Sequence, residues 1–236
     1  MLNNELLRIV LVGTRNPLNI GAVARAMSNF GFEHLRVVNP YEVAFREARS
    51  AVGASEILAS AEEYTSVPDA VADCELVVGT TAAMRREPQH PVMELDKAAA
   101  AILAARSRVA LLFGSEKRGL SNHDLSYCQW LLHIPTLEGQ PSMNLAQAVA
   151  VCLYELRRRP AITKMESHSL KAATAEELER LTAILIQALH ASGYTGVDAL
   201  PSTEEKVRRL IRRLHLSADD ATQLLGMLRH IAYSKR

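Results

Sequence analysis

The sequence predicts an α/β protein, a mostly parallel sheet with helices packed on its faces, followed by a smaller helical domain. Two observations carry the prediction. Up to about residue 158, short β-rich runs alternate with amphipathic or Ala-rich stretches, the pattern of a parallel sheet connected by helices. Beyond Pro160 the chain turns polar from Thr163 to Ser169 and then reads as helices without a convincing strand, which puts a domain boundary near residue 160. The composition agrees with a globular chain. Of 236 residues, 48% are hydrophobic and 22% charged, close to the average of folded domains and enough to bury a substantial core.

In chain order, strands are expected over Ile9 to Val12, Leu35 to Val38, Leu76 to Gly79, Val109 to Gly114 and Trp130 to Ile134. A helix over Asn19 to Phe30 follows from Ile20, Val23, Ala24 and Met27 at i, i+3, i+4 and i+7, with Gly31 as its C-cap. Further helices are expected over Ala48 to Ser60, Met93 to Ala105 and Asn144 to Arg158. In the helical tail, Thr174-x-x-Glu177 is a capping box that opens a helix with Leu178, Leu181 and Leu185 on one face. A second helix, Glu204 to Leu214, turns Val207, Leu210, Ile211 and Leu214 inward and Lys206, Arg208, Arg209, Arg212 and Arg213 outward. Ser217 and Asp220 cap the last helix, with Leu224, Leu228 and Ile231 at helical spacing.

Charge and special residues exclude several classes. Lys and Arg number 27 against 26 Asp and Glu, a formal charge of +1, so no global field draws the chain to nucleic acid or a membrane. Any RNA site must be a local basic patch, of which Arg85-Arg86, Lys117-Arg118, Arg157 to Arg159 and the Lys206 to Arg213 face are the instances. Apolar runs such as Ala148 to Tyr154 fall far short of the roughly 20 residues of a membrane helix. The start, Met1-Leu2-Asn3-Asn4-Glu5, lacks the basic and apolar regions of a signal peptide, so the expected location is the cytoplasm. Cys74, Cys128 and Cys152 have no C-x-x-C spacing, and the eight histidines are scattered. Neither a disulfide frame nor a metal site is expected.

Three strand-end loops carry the functional signal. Gly13 to Arg25 runs from a strand into a helix, with backbone N–H groups available to an anion. Arg25 lies off the apolar stripe and is free to address a ligand or simply to face water. Leu111 to Leu120 is a buried strand entering a charged loop with Gly114 and Gly119, beyond the carboxyl end of a strand where open α/β sheets bind ligands. His133 to Ala146 passes through a Gly- and Pro-rich loop into a helix that Ser142 or Asn144 caps. Thr80-Thr81-Ala82 makes a fourth polar strand end. No G-K-[ST], G-x-G-x-x-G, H-E-x-x-H or G-x-S-x-G is present, which disfavours P-loop, Rossmann, zinc-protease and serine-hydrolase sites.

In order, these loops resemble the three motifs of the SPOUT RNA methyltransferases, in the TrmH-like branch that modifies ribose 2′-hydroxyls. The first motif is Asn19-Ile20-Gly21-Ala22-Val23-Ala24-Arg25, the second Gly114-Ser115-Glu116-Lys117-Arg118-Gly119-Leu120, and the third Ile134-Pro135 with Ser142-Met143-Asn144-Leu145. The tail, with Glu205 to Leu210 and Leu228-Arg229-His230-Ile231, looks like that of the TrmJ subgroup. The resemblance implies a homodimer, a deep trefoil knot within about residues 110–158, S-adenosylmethionine as methyl donor and tRNA as substrate, with the ribose of nucleotide 32 in the anticodon loop as target. A non-catalytic RNA- or ribosome-binding protein of the same fold and an rRNA 2′-O-methyltransferase are the alternatives.

Carried over position by position, the cofactor-binding residues are Thr80, Thr81, Ala82, Gly114, Ile134, Ser142, Met143, Asn144 and Leu145. The catalytic set is Arg25, Asn19, Glu116, Ser142 and Asn144, with Arg25 acting on cofactor held in the other subunit. Arg15, Arg25, Arg208, Arg209, Arg212 and Arg213 are the expected RNA contacts. An arginine is not a simple general base, so the role expected of Arg25 is electrostatic: it binds RNA phosphate and stabilises the developing alkoxide.

Overall fold

The computed structural model describes residues 4–41, 45, 48, 56–82, 89–137, 139–158, 171–194 and 200–233. Seven strands form one sheet: β1 (Leu7–Val12), β2 (Leu35–Val38), β3 (Glu62–Tyr64), β4 (Leu76–Thr81), β5 (Val92–Glu94), β6 (Val109–Phe113) and β7 (Trp130–His133). They lie in the order β3-β2-β1-β6-β4-β7-β5, and every pairing is parallel. In β1 and β6 every residue is buried. This explains why the sequence shows the apolar runs Ile9 to Val12 and Val109 to Phe113 there rather than alternation, since a parallel sheet is covered on both faces.

Successive β1 residues divide between two cores. Leu7, Ile9 and Leu11 pack with α1 (Pro17–Phe30), α4 (Leu95–Ala105) and α6 (Leu145–Arg158), through Ile20, Val23, Met27, Ile102, Val149 and Leu153. Val10 and Val12 face the other side, against Val67 and Val71 of α3 (Val67–Val71) and Tyr127 and Cys128, which follow α5 (Asn122–Leu125). A short α2 (Glu56–Ala59) adds Ile57 and Leu58 to the first core. Gly31 caps α1 in the left-handed region at φ 72°, as the sequence predicts.

The tail forms a third core, in which Leu178, Leu181 and Ile184 of α7 (Ala175–Ala191) meet Val207 and Ile211 of α8 (Leu200–Arg213) and Ala221 of α9 (Ala218–Tyr233). The Thr174/Glu177 capping box is made in both directions, and Ser217 Oγ accepts from the Asp220 N–H at 3.1 Å. The tail docks on the sheet domain: the N–H groups of Ala175 and Glu176 donate to the carbonyls of Cys74 and Ala72 at 2.7 and 3.0 Å.

Several expectations need correcting. The basic residues of α8 do not all face outward: Arg208, Arg209 and Arg212 are 1%, 7% and 0% exposed, while Leu210 and Leu214 are about half exposed. The helix is rotated because Glu179 of α7 offers its carboxylate to Arg208 at 2.9 Å and to Arg212 at 3.5 Å. The Tyr127 ring takes the Arg208 guanidinium at 4.3 Å. Arg208 and Arg212 therefore bind the protein itself; Arg213 and Lys206 are the exposed members of the set. Helix α4 starts at Leu95 rather than Met93, since Val92–Glu94 pairs with β7 as the edge strand. The polar β3 and the short α3 and α5 carry too little apolar periodicity to be read from sequence. Residues 49–55 of the expected Ala48 to Ser60 helix lie outside the described residues, as do Arg85-Arg86, Arg159 and the polar stretch from Thr163 to Ser169.

Candidate active site

The carboxyl ends of β1, β4, β6 and β7 lie side by side, and each of the four predicted loops leaves from one of them. After β1, Gly13 turns at φ 64° and Asn16 caps α1, its Oδ1 accepting from the Leu18 N–H at 3.0 Å. After β6 the loop closes on itself: Ser115 and Gly119 form an isolated bridge, and the Gly119 N–H donates to the Ser115 carbonyl at 2.8 Å. Gly114 sits beneath that closure, where a Cβ would lie 2.0 Å from the Gly119 carbonyl carbon and 2.1 Å from the Leu120 nitrogen. At the end of β4, the Thr80 hydroxyl donates to the Leu112 carbonyl at 2.8 Å and ties two neighbouring strand ends together.

After β7, Asn144 is the cap of α6. Its Oδ1 accepts from the Ala146 and Gln147 N–H groups at 2.9 and 3.4 Å, which settles the choice between Ser142 and Asn144. Its other amide atom points to the first loop: Asn144 Nδ2 donates to Asn19 Oδ1 at 3.0 Å. Asn19 Nδ2 in turn donates to Glu116 Oε1 at 2.9 Å. One relay, Asn144 to Asn19 to Glu116, thus links the three motif loops across 125 residues of sequence. The same Glu116 oxygen accepts from the Asn16 N–H at 3.4 Å. Direct contact between these residues gives a physical reason for their types: an amide both donates and accepts, and an ionised carboxylate only accepts.

Beside the relay lies a cleft of about 680 Å³, within the usual range for small-molecule sites. Of the expected cofactor residues, Thr80, Thr81, Ala82, Gly114, Ile134, Ser142, Met143 and Leu145 line it, as does Glu116. Asn144 and Asn19 stand outside the lining, in the relay. Arg25 is exposed on α1 and Arg15 is exposed in the loop before it; neither lines the cleft of its own chain. The structure adds His90 and Asn122 to the lining, and it brings in Lys117, Arg118 and Arg209, which the sequence offers only as basic candidates for RNA. Lys117 and Arg118 belong to the second motif and to one of the basic patches. His90 sits in no motif, and Arg209 had been placed on the outer face of its helix.

The cleft is basic, with Lys117, Arg118 and Arg209 against Glu116. Burial, reinforced by the charges of Arg209 and Arg213, pushes His90 down to about 4, so its imidazole is neutral at physiological pH. Cys74, Cys128 and Cys152 are free and buried, each pushed up to about 12, chiefly by burial. They are inert thiols rather than nucleophiles. Among the described residues no group of His, Cys, Asp and Glu could hold a metal ion, and no helix is long and apolar enough to cross a membrane.

A parallel sheet with a cleft at its strand ends and three loops locked together by Asn19, Glu116 and Asn144 defines a ligand-binding α/β domain of the SPOUT methyltransferase type in its motif layout. Residues 6–154 match the model of the SpoU rRNA Methylase family, and the chain belongs to that family. It is 35% identical to the tRNA (cytidine/uridine-2′-O-)-methyltransferase TrmJ of Sodalis glossinidius, over 100% of this chain and 94% of that protein. It is 31% identical to the tRNA (cytidine-2′-O-)-methyltransferase TrmJ of Methanocaldococcus jannaschii, over 94% of this chain and 97% of that one. Among solved structures, that of TrmJ from Z. mobilis superposes with a TM-score of 0.83 at 31% identity, covering 95% of this chain and 98% of that chain.

Proposed function

We infer that the protein is an S-adenosylmethionine-dependent tRNA 2′-O-ribose methyltransferase acting in the cytoplasm, with nucleotide 32 of the anticodon loop as its target. The observation that carries this reading is the relay from Asn144 through Asn19 to Glu116 at the edge of a strand-end cleft, made by residues of all three motifs. The names of relatives matched over nearly the whole chain support the substrate class.

The residues present fit the cofactor. The hydrogen-only face of Gly114 keeps the loop closed over the strand end. Thr80, Thr81 and Ala82 on one side, and Ile134, Ser142, Met143 and Leu145 on the other, would hold the adenosine between backbone polar groups and an apolar wall. Bound there, the cofactor supplies an electrophilic sulfonium methyl. The chain's own task is positioning, because a ribose oxygen must approach in line with the methyl group. Glu116 and Asn144 fix the Asn19 loop, and with it the start of the helix that carries Arg25. The Arg25 guanidinium binds an RNA phosphate and stabilises the alkoxide as the hydroxyl proton leaves to phosphate or water. Since Arg25 does not line its own cleft, this reading includes a homodimer in which Arg25 of one subunit serves the cleft of the other. It also includes the trefoil knot implied by the motifs; insertion of β6 between β1 and β4, with β7 beyond β4, is compatible with such threading. Residues 161–236 are the C-terminal extension of this enzyme, with α7 to α9 as its described helices, and Arg213 and Lys206 of the extension and Arg15 of the sheet domain are the exposed candidates for the RNA backbone.

The test is transfer of labelled methyl to unmodified tRNA transcripts, with nuclease mapping of the product and Arg25→Ala alongside. Label at the 2′-oxygen of nucleotide 32 that disappears in the variant is the expected result. Label only in rRNA, or none despite cofactor binding, overturns the substrate or the activity.

A further inference from the structure

One wall of the cleft is not made by the motif loops. It is formed by His90, from the segment before β5, and by Arg209, from α8 of the tail. Both are 7% exposed. Arg208, next to Arg209, is held by carboxylates at 2.5 and 2.9 Å. Arg209 has a looser pair, with Glu205 one turn earlier at 3.5 Å. A guanidinium shielded from water and loosely paired is a strong site for an anion small enough to enter the cleft. The second observation is independent: His90 Nε2 is buried without a hydrogen-bond partner among the described residues. Burial and the neighbouring cations keep that ring neutral, so with its proton on Nδ1 it offers a lone pair to an N–H donor.

A buried cation beside a neutral acceptor complements an α-amino carboxylate. We propose that Arg209 and His90 form a subsite for the amino-acid end of the methyl donor, the guanidinium on its carboxylate and His90 Nε2 accepting from its ammonium group. The C-terminal helical unit thereby completes the cofactor cleft of its own subunit. The proposal rests on the reading of this cleft as the cofactor site. A phosphate of folded RNA is the poorer occupant, because it would have to bring its sugar and neighbours to a side chain that is almost wholly covered; the exposed Lys206 and Arg213 on the same helix are better placed for it.

The experiment compares binding of S-adenosylhomocysteine with that of methylthioadenosine, which lacks the amino-acid end, to the full-length protein by calorimetry. The unaltered protein should prefer the former by about tenfold or more, the range expected for a charge-assisted pair. Arg209→Gln should remove most of that preference while leaving methylthioadenosine affinity unchanged, Arg209→Lys should retain part of it, and His90→Phe should reduce it. An unchanged preference in Arg209→Gln overturns the proposal, and so does an equal loss for both ligands, which would mean that Arg209 only holds α8 in place. Weaker tRNA binding with the preference intact assigns Arg209 to phosphate and also overturns it. A further arm needs no variant: equal affinity of the unaltered protein for S-adenosylhomocysteine and its carboxamide refutes the carboxylate contact. Failure of both adenosine compounds to bind the unaltered protein would instead sink the reading of the cleft itself.

Discussion

Removing the Asn19 side-chain amide breaks two hydrogen bonds at once, one from Asn144 and one to Glu116. Both partners are exposed, so water replaces what they lose and the fold pays little: Asn19→Ala should shift stability by less than about 1 kcal/mol. The motif loops, however, lose their common tie, and small misplacements at a transfer site are expensive in rate. Methyl transfer should fall on the order of a hundredfold while the melting temperature barely moves. A parallel loss of stability and rate would show that the relay is merely structural. Arg25→Lys isolates a different property, since it keeps a positive charge and discards the planar fork. Turnover should drop roughly a hundredfold with cofactor affinity unchanged; nearly full turnover would refute a role for bidentate geometry. Gly114 tests the loop itself. Any Cβ at this position meets backbone rather than a movable side chain, so Gly114→Ala should open the 114–120 closure and abolish cofactor binding, read by calorimetry.

Helix α8 shows what sequence periodicity can and cannot settle. Its apolar residues Val207 and Ile211 do face the core, but Leu210 and Leu214 do not, because the wheel position beside that stripe is taken by Arg208 and Arg212. The deciding groups come from elsewhere: Glu179 on α7, Ser126 at 3.2 Å from Arg208 and the Tyr127 ring. A one-dimensional pattern holds no record of a carboxylate 29 positions away. Strands β1, β2, β4, β6 and β7 were legible because burial on both faces leaves an apolar run, and the capping boxes because their chemistry is local. The motif loops were legible as ligand-binding strand ends; His90 and Arg209 were not, since they reach the cleft only through tertiary docking. Two guanidiniums covered by one carboxylate also make a direct prediction. Glu179→Ala strands Arg208 and Arg212 in the interior, where unpaired charge is costly, and should destabilise the protein by roughly 3 kcal/mol in urea unfolding. A loss below about 1 kcal/mol would mean that Glu204 and the Ala175 carbonyl suffice to hold them.

At the scale of the whole molecule, two separate groups resist protonation in the folded state, which fixes how stability must respond to acid. Near the cleft, burial first, then Arg209 and Arg213, hold His90 down to about 4, whereas an unfolded histidine titrates near 6.5. As pH falls through that interval the unfolded chain takes up the proton first, so stability falls with it. At the far edge, burial alone would raise the Asp73 carboxyl. The hydrogen bonds and charge of Arg36, with Arg108 behind them, outweigh burial and bring it down to about 2; Arg36 reaches it at 2.5 Å and Arg108 at 2.9 Å. An unfolded aspartate titrates near 4, so this group's contribution is complete above that pH and is lost as pH falls towards 2. Acid should therefore weaken the fold in two successive windows with separate origins. Urea midpoints measured at pH 7, 4.5 and 2.5 should show His90→Gln flattening the first decline and leaving the second, and Asp73→Asn lowering stability at pH 7 while flattening the second. If both variants decline in parallel with the unaltered protein across both windows, neither group is the source, and the acid response must come from carboxylates spread over the surface.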